Sequence, residues 1–145
     1  MREMANRSTS LFLAMLFMAS ISLTPNLQAY PSGIGSLGNN GCVCHGASSD
    51  SAVVSLGGLP DAWAGNTTYT LYINSSGPSE GSADEAKGGF RLLVDEGTMS
   101  GNESLIQIMD EGMTHTEAGN KYRTWVVEWT SPQDDTLTAH FKVHS

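Results

Sequence analysis

The sequence is poor in the residues on which several function classes depend. Of 145 residues only 7 are Lys or Arg, against 15 Asp or Glu, giving a formal net charge of −8. A nucleic-acid binder needs a basic stripe to neutralise phosphates, so this balance excludes that class. There are 2 Cys, too few for a disulfide-dense mini-scaffold, so a hydrophobic core must hold the fold. Charged residues make up 15%, below the usual quarter or so. The signatures of hydrolytic and phosphoryl chemistry are missing as well. There is no Gly-x-Ser-x-Gly elbow, no phosphate loop and no His-Glu-x-x-His zinc motif. The chain is expected not to be an enzyme. Its length allows one domain, hardly two.

The one long apolar run stands at the start. Arg2 and Arg7 precede Leu11 to Leu23, Thr24-Pro25 ends the run, and Leu27-Gln28-Ala29 offers a small-residue cleavage site. Residues 1–29 therefore read as a secretory signal peptide. The run falls short of the roughly 20 apolar residues of a membrane span. Cleavage after Ala29 removes Arg2, Glu3 and Arg7 and leaves 116 residues carrying −9. No second apolar stretch follows, so no membrane span is expected after signal removal. The expected location is extracytoplasmic, secreted or at the cell surface.

Beyond the leader, residues 30–50 are rich in Gly, Ser and Asn and read as loop, carrying the motif Cys42-Val43-Cys44-His45. Residues 51–145 alternate between strand and turn. Strands are expected over 51–56, 67–74, 89–95, 124–130 and 136–144, with a short apolar segment over 104–109. The stretches 75–88 and 110–122 read as polar loops, the second holding His115. Tyr69, Phe90, Trp125, Trp129 and Phe141 fall on inward faces and are expected to supply the core. Leu137 is expected inward as well, while His140 and His144 face solvent. Six or seven short strands without a helical period predict an all-β, antiparallel, immunoglobulin-like sandwich.

The ordered set of strand and turn signals resembles Reeler (reelin-type) domains. Gly58-Leu59-Pro60-Asp61-Ala62-Trp63-Ala64-Gly65, leading into Asn66-Thr67-Thr68-Tyr69-Thr70-Leu71, is similar to their opening strand. Gly88-Gly89-Phe90-Arg91-Leu92 is similar to their glycine–phenylalanine strand. Thr114-His115-Thr116 and the run Trp125 to Trp129 before Thr130-Ser131-Pro132 complete the set. The order fits best the prokaryotic relatives called choice-of-anchor V domains, which also begin with a glycine-rich Cys–Cys-His segment. The resemblance covers about Gly33 to Ser145. It implies a secreted β-sandwich, often carried to the surface by a C-terminal anchor. Here the chain stops within an expected strand at Val143-His144-Ser145 with no anchor following, so a truncated C-terminus is expected.

The cysteine motif admits four readings. Cys-x-x-Cys-His is the haem c attachment signature. In this chain Cys42, Cys44 and His45 take those roles with one residue fewer between the thiols, and His115 is the first candidate for a second axial ligand. Met99, Met109 and Met113 are the thioether alternatives. The same residues, with His115 as fourth donor, form a thiolate–imidazole set suited to zinc or copper. A Cys42–Cys44 disulfide suits an exported chain, although the tight ring would be strained and easily reduced. Free thiols are the fourth reading. The expected function is a secreted or cell-surface, non-enzymatic Reeler-like binding or structural module. The alternative is a monohaem c electron-transfer protein or a copper/zinc module. Partners are then an extracellular protein, a glycan or a redox partner. Asn66, Asn74 and Asn102 each begin an Asn-x-Ser/Thr sequon. The paired carboxylates at Asp95-Glu96, Asp110-Glu111 and Asp134-Asp135 lack EF-hand spacing and read as turn residues.

Overall fold

The computed structural model describes residues 30–41, 52–77 and 86–145. Eight strands lie among them: β1 (Val53–Gly57), β2 (Thr68–Ser76), β3 (Arg91–Val94), β4 (Thr98–Gly101), β5 (Ile106–Met109), β6 (Gly112–His115), β7 (Thr124–Thr130) and β8 (Phe141–His144). They form two four-stranded antiparallel sheets, ordered β1-β2-β7-β4 and β5-β6-β3-β8. The chain is an all-β sandwich, as the alternation predicts.

Strict alternation on β2 and β7 builds the centre of the first sheet. Leu71 and Ile73 on β2 and Trp125, Val127 and Trp129 on β7 point inward and are buried, with exposed residues between them. The second sheet answers with Phe90, Leu92, Ile106 and Met113. Of the five aromatics expected in the core, Phe90, Trp125 and Trp129 are buried, while Tyr69 and Phe141 are half-buried against them. Trp129 is the hub: Tyr69 stacks on it at 5.7 Å, and Trp63 and Phe141 meet it edge-on at 5.7 and 5.1 Å. Its indole N–H donates to the Glu96 carbonyl at 2.9 Å, so this buried ring leaves no polar atom unpaired.

Several expectations are corrected. β4 and β6 were not expected. The stretch 110–122 is not all loop, because Gly112 to His115 form β6, buried at every position. Both faces of β6 are covered, one by the core and the other by residues 30–41, so it lacks the one-sided alternation of an exposed strand. β5 and β6 are joined by the two-residue turn Asp110-Glu111, both at positive φ (45° and 63°). That is the geometry of a type I′ hairpin turn, here without its usual Asn-Gly signature.

The last strand is shorter than expected. β8 begins at Phe141. Before it, Asp134 takes the backbone and side chain of Thr136, and the Asp95 carboxylate takes the His140 N–H at 2.7 Å. These side-chain bonds compete with ladder formation. Leu137 is consequently exposed, not inward.

Residues 30–41 hold no strand, but they form a strap docked on the outer face of the second sheet. Asn120 donates to the Pro31 carbonyl at 3.1 Å, Gln107 to the Ser32 carbonyl, and the Ile34 N–H donates to Thr114 Oγ1 at 3.2 Å. The Ser36 N–H donates to Asp110 at 2.9 Å. Near the end of the strap, Arg91 and Lys142 donate to the side chain and backbone carbonyl of Asn39 at 3.0 and 2.6 Å.

Candidate functional site

Arg91 lies on the outward-facing side of β3, yet it is 1% exposed because the strap crosses it. Its guanidinium holds three acceptors at once: Asn39 Oδ1 at 3.0 Å and the carbonyls of Met109 and Asp110 at 2.5 and 2.8 Å. Burial lowers its pKa and the nearby Asp110 carboxylate opposes that shift. The cation therefore clamps the strap to the end of the β5–β6 hairpin. It rests directly over Gly112, where a Cβ would lie 2.5 Å from Arg91 Cζ. Only a glycine lets the planar group approach that closely.

His115 ends β6 and is 7% exposed. Its ring meets Phe90 at a centroid distance of 6.4 Å. The Phe90 N–H donates to its Nδ1 at 3.2 Å, and the ring is also bonded to the backbone of Tyr30. Burial is the largest influence on the imidazole and lowers its pKa. Gly89 packs against the ring so closely that a Cβ there would overlap it. His115 thus joins the strap, β3 and β6 at one end of the sandwich.

Cys42, Cys44 and His45 lie outside the described residues. Gly41, which precedes Cys42, is described, and it packs beside β8. A Cβ built on it would lie 3.8 Å from His144 Nδ1 and 3.9 Å from Cε1. His144 is half-buried rather than solvent-facing, because the strap end covers it. Its Nε2 is buried and has no hydrogen-bond partner among the described residues, an arrangement that ordinarily costs about 1–3 kcal/mol. His144 stands directly opposite Arg91 in the β3–β8 register. The sequence alternation placed it outward, as it is, but gave no sign of the strap that buries it.

His140 and Asp95 form an exposed pair at 2.8 Å. The backbone N–H of His140 is the first cause of the lowered Asp95 pKa, followed by the imidazole bond. Among the described residues, no three His, Cys, Asp or Glu side chains gather as a metal set. No helix of the described residues is long and apolar enough to cross a membrane. Among the thioether alternatives, Met113 is buried in the core and Met99 is half-buried against it. A shallow groove runs between β4 and β5, lined by Met99, Gly101, Ile106, Ile108 and Met113.

No protein-family model and no curated protein sequence matches the chain. Among solved structures, it is similar to the human F-spondin reeler domain. One crystal structure of that domain is 18% identical with a TM-score of 0.48, covering 64% of this chain and 72% of the other. A second is 21% identical with a TM-score of 0.47, covering 64% and 76%. A structure of the Reelin-N domain of F-spondin is 20% identical with a TM-score of 0.48, covering 64% and 70%. The all-β assignment stands on the two sheets of this chain itself.

Proposed function

We propose that the protein is an exported, non-enzymatic β-sandwich module whose distinctive chemistry is confined to the Cys42–His45 segment. The observation that carries this reading is the use of the buried polar groups. Arg91, Thr114, His115 and Asn120 all bond to the strap, so they serve to attach residues 30–41 to the second sheet. Tyr30, the first residue after the expected cleavage point, is already tied in. The Gly33 N–H donates to its carbonyl at 3.1 Å and its backbone bonds the His115 ring. The strap, tied in from Tyr30, ends at Gly41 beside His144 on β8. The test is expression of the full chain in a bacterial host, followed by fractionation and N-terminal sequencing. A folded extracytoplasmic product beginning at Tyr30 is expected. An uncleaved chain retained inside the cell overturns the reading.

The orphaned nitrogen of His144 favours a second reading, a metal or haem centre at Cys42, Cys44 and His45. Cys42 is one peptide from Gly41, so its Cα lies about 3.8 Å from that of a residue packed beside the imidazole. Two thiolates with imidazole nitrogen suit zinc or copper, and an imidazole also serves as an axial ligand to haem iron. On this reading His144 replaces His115 as the additional donor, because His115 has its ring engaged with the Phe90 and Tyr30 backbone. The chain is to be expressed with a haem-attachment system and, separately, loaded with cobalt(II). A covalent Soret band, or thiolate-to-cobalt charge transfer, supports the centre. Loss of the signal in His144→Ala but not in His115→Gln assigns the donor. Absence of both signals in the wild type sinks this reading and leaves the module.

A further inference from the structure

The fold treats the three Asn-x-Ser/Thr sequons among its described residues unequally; a fourth, Asn6-Arg7-Ser8, lies in the expected leader. Asn66-Thr67-Thr68 is fastened where β2 begins. Asn66 N–H donates to the Pro132 carbonyl at 3.1 Å, Thr67 N–H to Ser131 Oγ at 3.0 Å, and the Thr68 and Thr130 hydroxyls meet at 2.8 Å. Asn74-Ser75-Ser76 lies wholly inside β2, with β1 paired along all three residues on one side and β7 paired with Asn74 on the other. Its acceptor side chain takes the Thr124 hydroxyl at 3.0 Å. Asn102-Glu103-Ser104 differs from both. It lies wholly outside the strands, in the turn joining β4 to β5, with all three residues exposed, whereas the first sequon has an exposed turn residue at Asn66 but a half-buried Thr67 and enters β2 at Thr68. The Asn102 turn is closed by its own backbone, the Leu105 and Ile106 N–H donating to the Asn102 carbonyl at 2.9 and 3.0 Å. The Ser104 N–H and hydroxyl both donate to Asn102 Oδ1, at 3.1 and 2.7 Å. Among the described residues, nothing bonds Asn102 Nδ2.

We propose that Asn102 is an N-glycan acceptor in the folded protein, and that Asn66 and Asn74 are closed once β2 has formed. The proposal rests on the export reading, since the glycosyl donor is met outside the cytoplasm. The donor is a lipid-linked oligosaccharide. Asn102 Nδ2 bonds to the first sugar's C1 as the C1–O bond to the lipid phosphate breaks. The amide proton passes to the transferase and the lipid phosphate leaves. A transferase must draw its acceptor into a site of its own. The turn sequon can be drawn in without breaking a ladder, whereas Asn74 requires opening β2 from two partners. A glycan on Asn102 would stand where the edges of both sheets meet, beside the β4–β5 groove and the 64% exposed Ile108. There it would keep two unpaired strand edges from joining another chain.

The purified full chain, with or without its leader, is to be incubated with a single-subunit oligosaccharyltransferase and a lipid-linked oligosaccharide. Sites are then read by glycopeptide mass spectrometry. Occupancy at Asn102 is expected to exceed that at Asn66 and Asn74 by about ten-fold or more, as local opening of β2 is rare. It is lost in Asn102→Gln and Ser104→Ala and retained in Ser104→Thr. A chain carrying Leu71→Pro, which breaks β2, is expected to gain modification at Asn66 and Asn74. Asn102 left bare, or comparable occupancy at all three sites in the folded chain, overturns the proposal, as does transfer to neither chain. None of these results depends on export, which N-terminal sequencing tests separately.

Discussion

At the scale of single residues, burial reaches side chains on both faces of the second sheet. Phe90, Trp125 and Trp129 announce themselves by period-two spacing, and burial of such rings drives collapse wherever they stand. Arg91, Thr114 and His144 fall on the opposite parity, where the expected neighbour is water. Their burial comes from a segment some 50 or more residues earlier in the chain, and no local pattern encodes that. His115 is the case with a measurable consequence. Burial lowers its folded-state pKa, against about 6.5 in an unfolded chain. As pH falls below about 6.5 the unfolded chain takes up a proton that the folded state refuses, so this residue's effect is to lose stability toward acid. The slope from one such group cannot exceed ~1.4 kcal/mol per pH unit. Urea unfolding followed from about pH 7.5 to 5 is expected to show a steeper acid loss in the wild type than in His115→Gln. Equal slopes in the two proteins would remove His115 as the source.

At the scale of elements, the sequence exposes strands that have one wet face and hides those that do not. β2 and β7 alternate cleanly between buried and exposed. β6 is Gly-Met-Thr-His, two of its side chains polar, and all four positions are buried. Its turn hides it further, because Asp110-Glu111 takes the two positive φ values that Asn-Gly ordinarily supplies. Asp110 has a second role, since its carboxylate accepts the Ser36 N–H of the strap. Glu111 is exposed and carries the larger positive φ of the pair, 63°. A left-handed conformation costs a side-chain-bearing residue about 1–2 kcal/mol, and part of that is offset by the greater freedom of glycine when unfolded. Glu111→Gly is therefore expected to stabilise the protein by about 0.5–1 kcal/mol. Differential scanning calorimetry would show a rise in Tm of a few degrees, and a fall would contradict the strain argument.

At the scale of the whole molecule, the strap makes the second sheet a two-sided layer and sets where the Cys-x-Cys-His segment begins. The resemblance read from the sequence placed a glycine-rich Cys–Cys-His segment before a sandwich, but loop composition says nothing of where a loop docks. Thr114 is the place to test that docking. Its hydroxyl donates to the Phe90 carbonyl at 2.7 Å while its oxygen accepts the Ile34 N–H at 3.2 Å. Thr114→Val keeps the branched shape and removes both bonds, at an expected cost of about 1–2 kcal/mol to global stability. The strap should respond more than the sandwich. Hydrogen exchange at the Ile34 and Ser36 amides is expected to accelerate about ten-fold more than at the β7 amides, because the strap opens as a unit of its own. If all these amides accelerate together, the strap is part of the global unfolding unit and has no separate opening. If exchange at Ile34 is already fast in the wild type, the docking itself is refuted. A loosened strap also frees Gly41 from His144. In the reading that places a metal at Cys42 and Cys44, cobalt(II) affinity should then fall in Thr114→Val, although the substitution removes none of the donors.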